Sequence, residues 1–332
     1  MVRVKCLIII PKTPGLSARW PGVYSGVVKL AFFRLRFHFE AIDPLWFPPE
    51  GAGNTVRGAL GYALRQVACR CGADLHGEDC AYARIFEPGH RAHTGPSGLA
   101  EWPRPFVLRT RHLDGQAFFP RKTFNFDVHL FDVRRPSLPY FVEAFALIAD
   151  QGIGPLRRRA RLTSVEQLDT EGSVRAAVWD GEKCASLLEP GWVPLVANGG
   201  AADSLCIRFL TPTELKCEGG LAPRPDFSVL FARIRDRISI LRTLYGAGPL
   251  EIDFRSLGDR AAGIEMTRCQ VDSTHGERRS SRTGQVHPLG GFTGEAEYRG
   301  NMAEFLPYLQ AARWTGVGRQ TVWGKGEIAV AS

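Results

Sequence analysis

The residues with the clearest chemical potential lie near the C-terminus. Gly290-Gly291-Phe292-Thr293-Gly294 is followed, after a helical stretch, by Gly316-Val317-Gly318-Arg319-Gln320-Thr321-Val322-Trp323-Gly324-Lys325-Gly326. Glycines at 316, 318, 324 and 326 would let the backbone come close to a partner and turn N–H groups toward phosphate oxygens, with Arg319 and Lys325 adding positive charge. This is not a nucleotide-hydrolysing P-loop. Five residues separate Gly318 from Gly324, and Gly326 stands where the magnesium-binding hydroxyl belongs. The alternative is a glycine-rich turn leading into an edge strand.

Two arginine-rich segments flank the glycine pairs. Arg157-Arg158-Arg159, with Arg161, follows Gly152-Ile153-Gly154; Arg278-Arg279, with Arg282, precedes Gly290-Gly291. This placement predicts one basic track for a phosphate backbone across both halves of the chain, against the alternative of a solvated basic face. A second kind of chemistry is offered by Cys69, Cys71, His76 and Cys80. Three sulfurs and one imidazole are the ligand set of a structural zinc site that pins a loop. Only one residue separates the first two cysteines, which is not a standard knuckle, and ordinary reduced thiols are the other reading.

These residues need elements to hold them. Phe33, Leu35, Phe37 and Phe39 alternate with Arg34, Arg36, His38 and Glu40, the period of a half-buried strand with a polar outer face. A helix over about 54–69 follows, with Val56, Leu60, Ala63, Leu64 and Val67 on one stripe. Residues 70–103 read as an inserted loop region, and strands are expected at 105–111 and 124–133. A helix at 138–149 ends at Gly152, with a strand through Arg161 and Val165. The second half repeats the order: strand 205–217, helix 226–245, strands 264–273 and 291–298, helix 301–313 and strand 320–330. Laid over one another at an offset of 164 residues, Gly152-Ile153-Gly154 falls on Gly316-Val317-Gly318. The pattern predicts an α+β chain of two tandem ferredoxin-like (RRM-like) domains, each a β-α-β-β-α-β unit. The boundaries are an N-terminal extension at 1–30, a first domain at 31–180 with the Cys-containing insertion at 70–103, and a second at 200–332. In such a domain both helices cover one face of the sheet, and the open face commonly binds single-stranded RNA.

Composition sets the class. The 332 residues divide into about two domains by length. Forty-four per cent are apolar and 23% charged, which excludes a disordered or fibrous chain. No apolar run reaches the ~20 residues of a membrane span, and Cys6 to Ile10 is too short for a signal peptide. A cytoplasmic, reducing setting with no membrane partner is therefore expected. Of 42 basic residues 35 are arginine, the side chain suited to bidentate phosphate recognition, although a GC-rich coding bias yields the same excess.

On these residues a family resemblance rests. The run Arg279-Ser280-Ser281-Arg282 through His287-Pro288-Leu289-Gly290-Gly291-Phe292-Thr293-Gly294, and on to Val317-Gly318-Arg319-Gln320-Thr321-Val322-Trp323-Gly324, resembles the C-terminal domain of CRISPR-associated repeat-cleaving endoribonucleases of the RAMP superfamily (Cas-six type). Gly53 to Leu64 resembles their first helix, and Cys80 to Glu87 and Arg104 to Leu108 fit as well. The similarity spans about residues 32–330. It implies two ferredoxin-like domains that bind CRISPR repeat RNA and cut the precursor within its repeats to give guide RNAs. Catalysis would need no metal or cofactor: the upstream ribose 2′-hydroxyl attacks the phosphate, leaving a cyclic phosphate and a 5′-hydroxyl. Other CRISPR effector subunits and a second copy of the chain are the further partners considered.

That reaction needs a base near neutral pKa, an acid for the leaving oxygen and cations for the phosphorane. Here the chain departs from the family, whose catalytic histidines often sit in or near the first helix, because no histidine lies between His38 and His76. Tyr62 stands where some relatives carry histidine, with Arg57 and Arg65 beside it. His38, Tyr62 and His287 are the catalytic candidates. The RNA-binding candidates are Arg57, Arg65, Arg157, Arg158, Arg159, Arg279, Arg282, Gly316, Gly318, Arg319, Gly324, Lys325 and Gly326. A non-catalytic RNA-binding subunit of the same superfamily is the alternative that the missing helix histidine motivates.

Overall fold

In the computed structural model of the chain, the strand with alternating phenylalanines is β1 (Lys29–Ala41), and its burial alternates as the sequence does. The described residues are 28–72, 76–77, 79–91, 102–184, 188–197, 202–217, 219–274, 277–279, 286–288 and 290–331. They form two units, one built mainly from 31–192 with 243–247 and the other from 193–242 and 248–332.

In the first unit β1 is followed by helix α1 (Ala52–Ala68), the short helix α2 (Ala81–Phe86), β2 (Phe106–Arg109), β3 (Thr123–Leu130), helix α3 (Leu138–Gln151), β4 (Ala160–Leu168) and β5 (Val174–Trp179). The sheet order is β2-β3-β1-β4-β5. Neighbours along this path are antiparallel. Without β5 this is the split β-α-β order of a ferredoxin-like domain. Phe37, Phe39 and Phe126 point to the helix side, where all three rings meet Phe145 of α3, the closest at 4.6 Å from Phe37. Each fully buried phenylalanine contributes roughly 1.5–3 kcal/mol relative to exposure, so shifting β1 by one residue would forfeit most of the core. Arg34, Arg36, His38 and Glu40 are thereby fixed on the opposite, open face.

The second unit repeats the plan with β6 (Ser204–Thr213), α4 (Phe227–Tyr245), α5 (Phe254–Ala262), β7 (Glu265–Thr274), β8 (Glu277–Arg279), β9 (Val286–Pro288), β10 (Gly291–Arg299), α6 (Leu306–Thr315) and β11 (Ile328–Ala331). Its sheet order is β7-β10-β6-β11, and β8 and β9 pair as a separate two-stranded ladder. Phe227 and Phe231 of α4 pack edge-on against Phe305, with Phe227 also on Tyr298. The 164-residue offset holds at the helix ends. Both α3 and α6 stop one residue before a glycine with positive φ, Gly152 and Gly316, whose amides donate back to Ile148 and Ala312 at 2.8 Å.

Three expectations change. The region 70–103 contains α2. The expected strand 320–330 begins only at Ile328, because Gln320, Gly324 and Gly326 all take left-handed backbone that a strand cannot use. Helix α5 is an addition to the expected plan, and its start is set by the Asp253 side chain accepting from the amides of Arg255 and Ser256.

Candidate functional site

The open face of the first sheet is organised by ion pairs between strands. Asp127 of β3 lies opposite Arg36 and accepts from Arg36 Nε at 2.7 Å and from Arg34 Nε at 3.0 Å. Burial works against its ionisation, but the hydrogen bond and charge of Arg36, with His129 and Arg34, outweigh it and hold the carboxyl below its usual range. The pairing raises the pKa of Arg36 in turn. One step along β1, His38 Nε2 lies 2.9 Å from Glu166 Oε2 of β4, both side chains half-buried. At the strand's end Glu40 pairs with Arg161 at 3.0 Å. A carboxylate against an imidazole nitrogen selects the tautomer and stabilises the imidazolium, the arrangement a proton-transferring histidine needs.

One end of this sheet is basic. The turn into β3 places Arg121 and Lys122 beside the last residue of β1, with Arg121 N donating to Ala41 O at 2.8 Å and Ala41 N to Lys122 O at 2.9 Å. The turn into β4 brings Arg157, Arg158 and Arg159 to the same end, with Ile42 N donating to Arg159 O at 3.0 Å. Arg159 is tied to Asp43 by its amide and its guanidinium, which holds that carboxyl low. Arg121, Lys122, Arg157 and Arg158 are exposed and have no carboxylate at ion-pair distance among the described residues. Phe119 (68% exposed), Leu156 and Ile42 add apolar surface at this end. Arg121 and Arg157 both have positive φ, at 70° and 47°, which costs roughly 1–2 kcal/mol per non-glycine residue. Strain of that size persists where the surroundings over-determine it, and functional sites are where it gathers.

On the other side of the sheet, α1 packs against α3 and presents Tyr62, 69% exposed, to solvent. Arg57 stacks over the Phe86 ring at 4.6 Å, while Arg104 sits over the same ring at 5.3 Å and donates Nε–H to Phe86 O. Phe86 reaches this position because residue 61 is glycine: a Cβ there would lie 2.5 Å from the ring. Beyond Arg65, in the last turn of α1, Cys69, Cys71, His76 and Cys80 bring their ligand atoms within 4.8 Å of one another. The Cys71 thiol is pulled down to about 7, chiefly by hydrogen bonding with His76, whereas burial pushes Cys80 up. Cys69, Cys71, Cys80, Cys206, Cys217 and Cys269 are thiols, and Cys184 is disulfide-bonded, which departs from the expected reducing setting.

In the second unit the glycine-rich loop folds onto its own chain. Val317 N donates to Gly326 O, Gly326 N to Pro212 O, Arg319 N to Glu214 O and Gly324 N to Thr321 O. A Cβ on Gly326 would sit 1.9 Å from Val317 O, and one on Gly318 2.2 Å from Glu214 O. The glycines are therefore required by close approach of chain to chain, and these amides are occupied internally. Arg319 pairs with buried Glu214. Lys325 is only 8% exposed, so it adds no surface charge. Arg237 of α4 clamps the loop from below, donating to Thr315 O at 2.9 Å and Thr321 Oγ1 at 2.6 Å. His287 lies on β9 opposite Arg278, and Arg279 lies on β8 opposite Val286; Arg282 is outside the described residues.

Comparison with known proteins follows the same two units. An N-terminal-domain family model, AF_1859_N, matches residues 30–191, and the model of the CRISPR-associated endoribonuclease Cas6 matches residues 207–328. Residues 207–328 carry the domain of that endoribonuclease family. No curated protein matches it by sequence. Among solved structures, a Thermus thermophilus Cas6 product complex is 18% identical with a TM-score of 0.53, covering 91% of this chain and all of that one. A partial Cas6-RT-Cas1–Cas2 complex is 13% identical with a TM-score of 0.54, covering 91% of this chain and 46% of that one. At these identities the likeness bears on the fold, and it agrees with the tandem ferredoxin-like plan. No helix among the described residues is long and apolar enough to cross a membrane.

The predicted residues do not form one cluster. His38 and Tyr62 lie on opposite sides of the first sheet. Arg157, Arg158 and Arg159 gather at its basic end, where Arg121, Lys122 and Phe119 join them. The sequence reading missed those three, although the run Phe118-Phe119-Pro120-Arg121-Lys122 carries the signal: aromatics and cations around a proline turn. It also missed Glu166 and Asp127, which become partners of His38 and Arg36 only through strand register.

Proposed function

We propose that this chain cuts CRISPR repeat RNA by attack of the ribose 2′-hydroxyl upstream of the cut, with no metal ion at the scissile phosphate. The match of residues 207–328 to the Cas6 endoribonuclease family supports the RNA substrate. Within the chain, the reading is carried by His38 held against Glu166 at 2.9 Å on a half-exposed strand face. His38 takes the 2′-hydroxyl proton and Glu166 steadies the imidazolium. Arg121, Lys122, Arg157 and Arg158 hold the phosphates of the strand, with Phe119 offering a ring for base stacking.

The test is cleavage of the cognate repeat RNA with excess EDTA, with protein-bound metal measured on the same sample. A stripped structural ion is thereby told apart from a requirement at the phosphate. Product ending in a cyclic phosphate, and no cleavage when the 2′-hydroxyl at the cut is replaced by hydrogen, are expected. His38→Ala should slow the reaction by roughly 10²–10⁴-fold, the usual worth of a general base, and Glu166→Gln by less. Cleavage of the deoxy substrate would refute the mechanism. An unchanged rate in His38→Ala would remove His38 and move the search to Tyr62 and His287. A second reading, a non-catalytic RNA-binding subunit, is favoured by the separation of His38 from Tyr62 across the sheet. Tight repeat binding with no cleavage by the parent protein would establish it.

A further inference from the structure

The Cys69–Cys80 segment carries a site that RNA chemistry does not use. Its four side chains come from the two ends of one short connection. Cys69 caps the C-terminal end of α1 in extended backbone, and Cys80 immediately precedes α2. His76 points Nδ1 at both sulfurs, 3.4 Å from Cys69 Sγ and 3.7 Å from Cys80 Sγ. Tetrahedral zinc with bonds of about 2.3 Å to sulfur and 2.0–2.1 Å to nitrogen has S···N edges of about 3.6 Å. The two observed separations bracket that edge, and the whole set fits within 4.8 Å.

The surroundings also suit a metal. His76 Nε2, on the far side of the ring, faces Glu87 Oε2 at 3.7 Å, and Tyr82 donates its hydroxyl to Glu87 Oε1 at 2.9 Å. A carboxylate behind a ligating imidazole is the usual outer shell of zinc histidines, orienting the ring and raising its basicity. The Tyr82 ring stands edge-on to His76 at 5.2 Å and closes one side of the site. Three thiolates and one imidazole are a soft ligand set that favours zinc over hard cations such as magnesium or calcium.

We propose that Cys69, Cys71, His76 (through Nδ1) and Cys80 bind one zinc ion in a closed four-coordinate site that ties the end of α1 to the start of α2. The six residues of α2 are too few to hold a helix alone. The ion supplies the anchor, keeping Phe86 in the notch at Gly61 and hence Arg57 and Arg104 in place over its ring. With no open coordination position the zinc is structural.

The experiment uses the full chain, purified without chelator and dialysed. Elemental analysis should give one zinc per chain, falling well below one in Cys71→Ser and staying at one in Cys217→Ser, which lies in the other unit. Cys71 is exposed, so its replacement leaves the core intact and loss of metal is not loss of fold. Glu87→Gln, outside the ligand set, should weaken zinc about tenfold. Cobalt in place of zinc should give the absorption of a tetrahedral sulfur-rich site, with weaker sulfur-to-metal charge transfer in Cys71→Ser. A folded parent protein with under a tenth of an equivalent of zinc and no tetrahedral cobalt spectrum would overturn the proposal. So would equal metal content in the parent and Cys71→Ser. None of these readouts involves RNA, so they stand or fall apart from the cleavage reading.

Discussion

Replacing Arg157 and Arg158 together by alanine should flatten the salt dependence of RNA binding by an amount the geometry sets. Four cations at the basic end of the first sheet, Arg121, Lys122, Arg157 and Arg158, have no acid at ion-pair distance among the described residues, whereas Arg159 and Arg161 are matched by Asp43 and Glu40. Each phosphate neutralised on a single strand contributes about −0.7 to the slope of log K against log salt, so four contacts give about −2.8 from this end. Between about 50 and 200 mM salt that is roughly a 50-fold loss of affinity; with two contacts removed the same step costs only about sevenfold. The assay is fluorescence anisotropy of labelled single-stranded repeat RNA titrated at several salt concentrations, with Arg260→Ala, whose guanidinium is bound to Glu304 at 2.7 Å in the second unit, as control. The control should keep the parent slope, and the double variant should lose about 1.4 from it. A change smaller than the ~0.7 of a single contact would show that the strand does not run over this end.

Two further outcomes follow from buried groups. Burial, only partly offset by Arg84 at 3.1 Å, pushes Asp132 up to about 6. The native state then holds a proton that the unfolded chain, with its carboxyl near 3.9, releases, so stability falls as pH rises from about 4 to 6, by roughly 3 kcal/mol for a shift of about two units. Asp127 acts in the opposite sense, losing its contribution as pH falls through its depressed value. The difference between the parent and Asp132→Asn in urea midpoint across that window isolates the first effect, and parallel curves would discount it. The glycine loop offers a second contrast. Gly326→Ala forces left-handed backbone and a Cβ 1.9 Å from Val317 O, while Gly115→Ala has similar φ and no atom within 4 Å. The open site should lose only the roughly 1–2 kcal/mol of the backbone term; Gly326→Ala should lose clearly more in urea unfolding, and equal losses would contradict the packing described.

What the sequence determined by itself is local. The phenylalanine alternation of β1, the stripe of α1 and the glycines ending α3 and α6 each act through neighbours a few residues away, so the duplicated ferredoxin-like plan was legible without coordinates. The four residues proposed to bind zinc were legible for the same reason, all lying within twelve residues. Tertiary structure alone decided which charges are available. Arg36 finds Asp127 across 91 positions of sequence and His38 finds Glu166 across 128, so arginines alike in sequence differ in whether an acid already occupies them. It decided as well that the C-terminal glycines meet their own carbonyls and that Lys325 turns inward, because close approach of backbone to backbone depends on where β6 and α4 put the loop. Spacing along a chain reports neighbours on one strand or helix. Which distant strand lies alongside is set by burial of the shared core, and the availability of each cation follows from that.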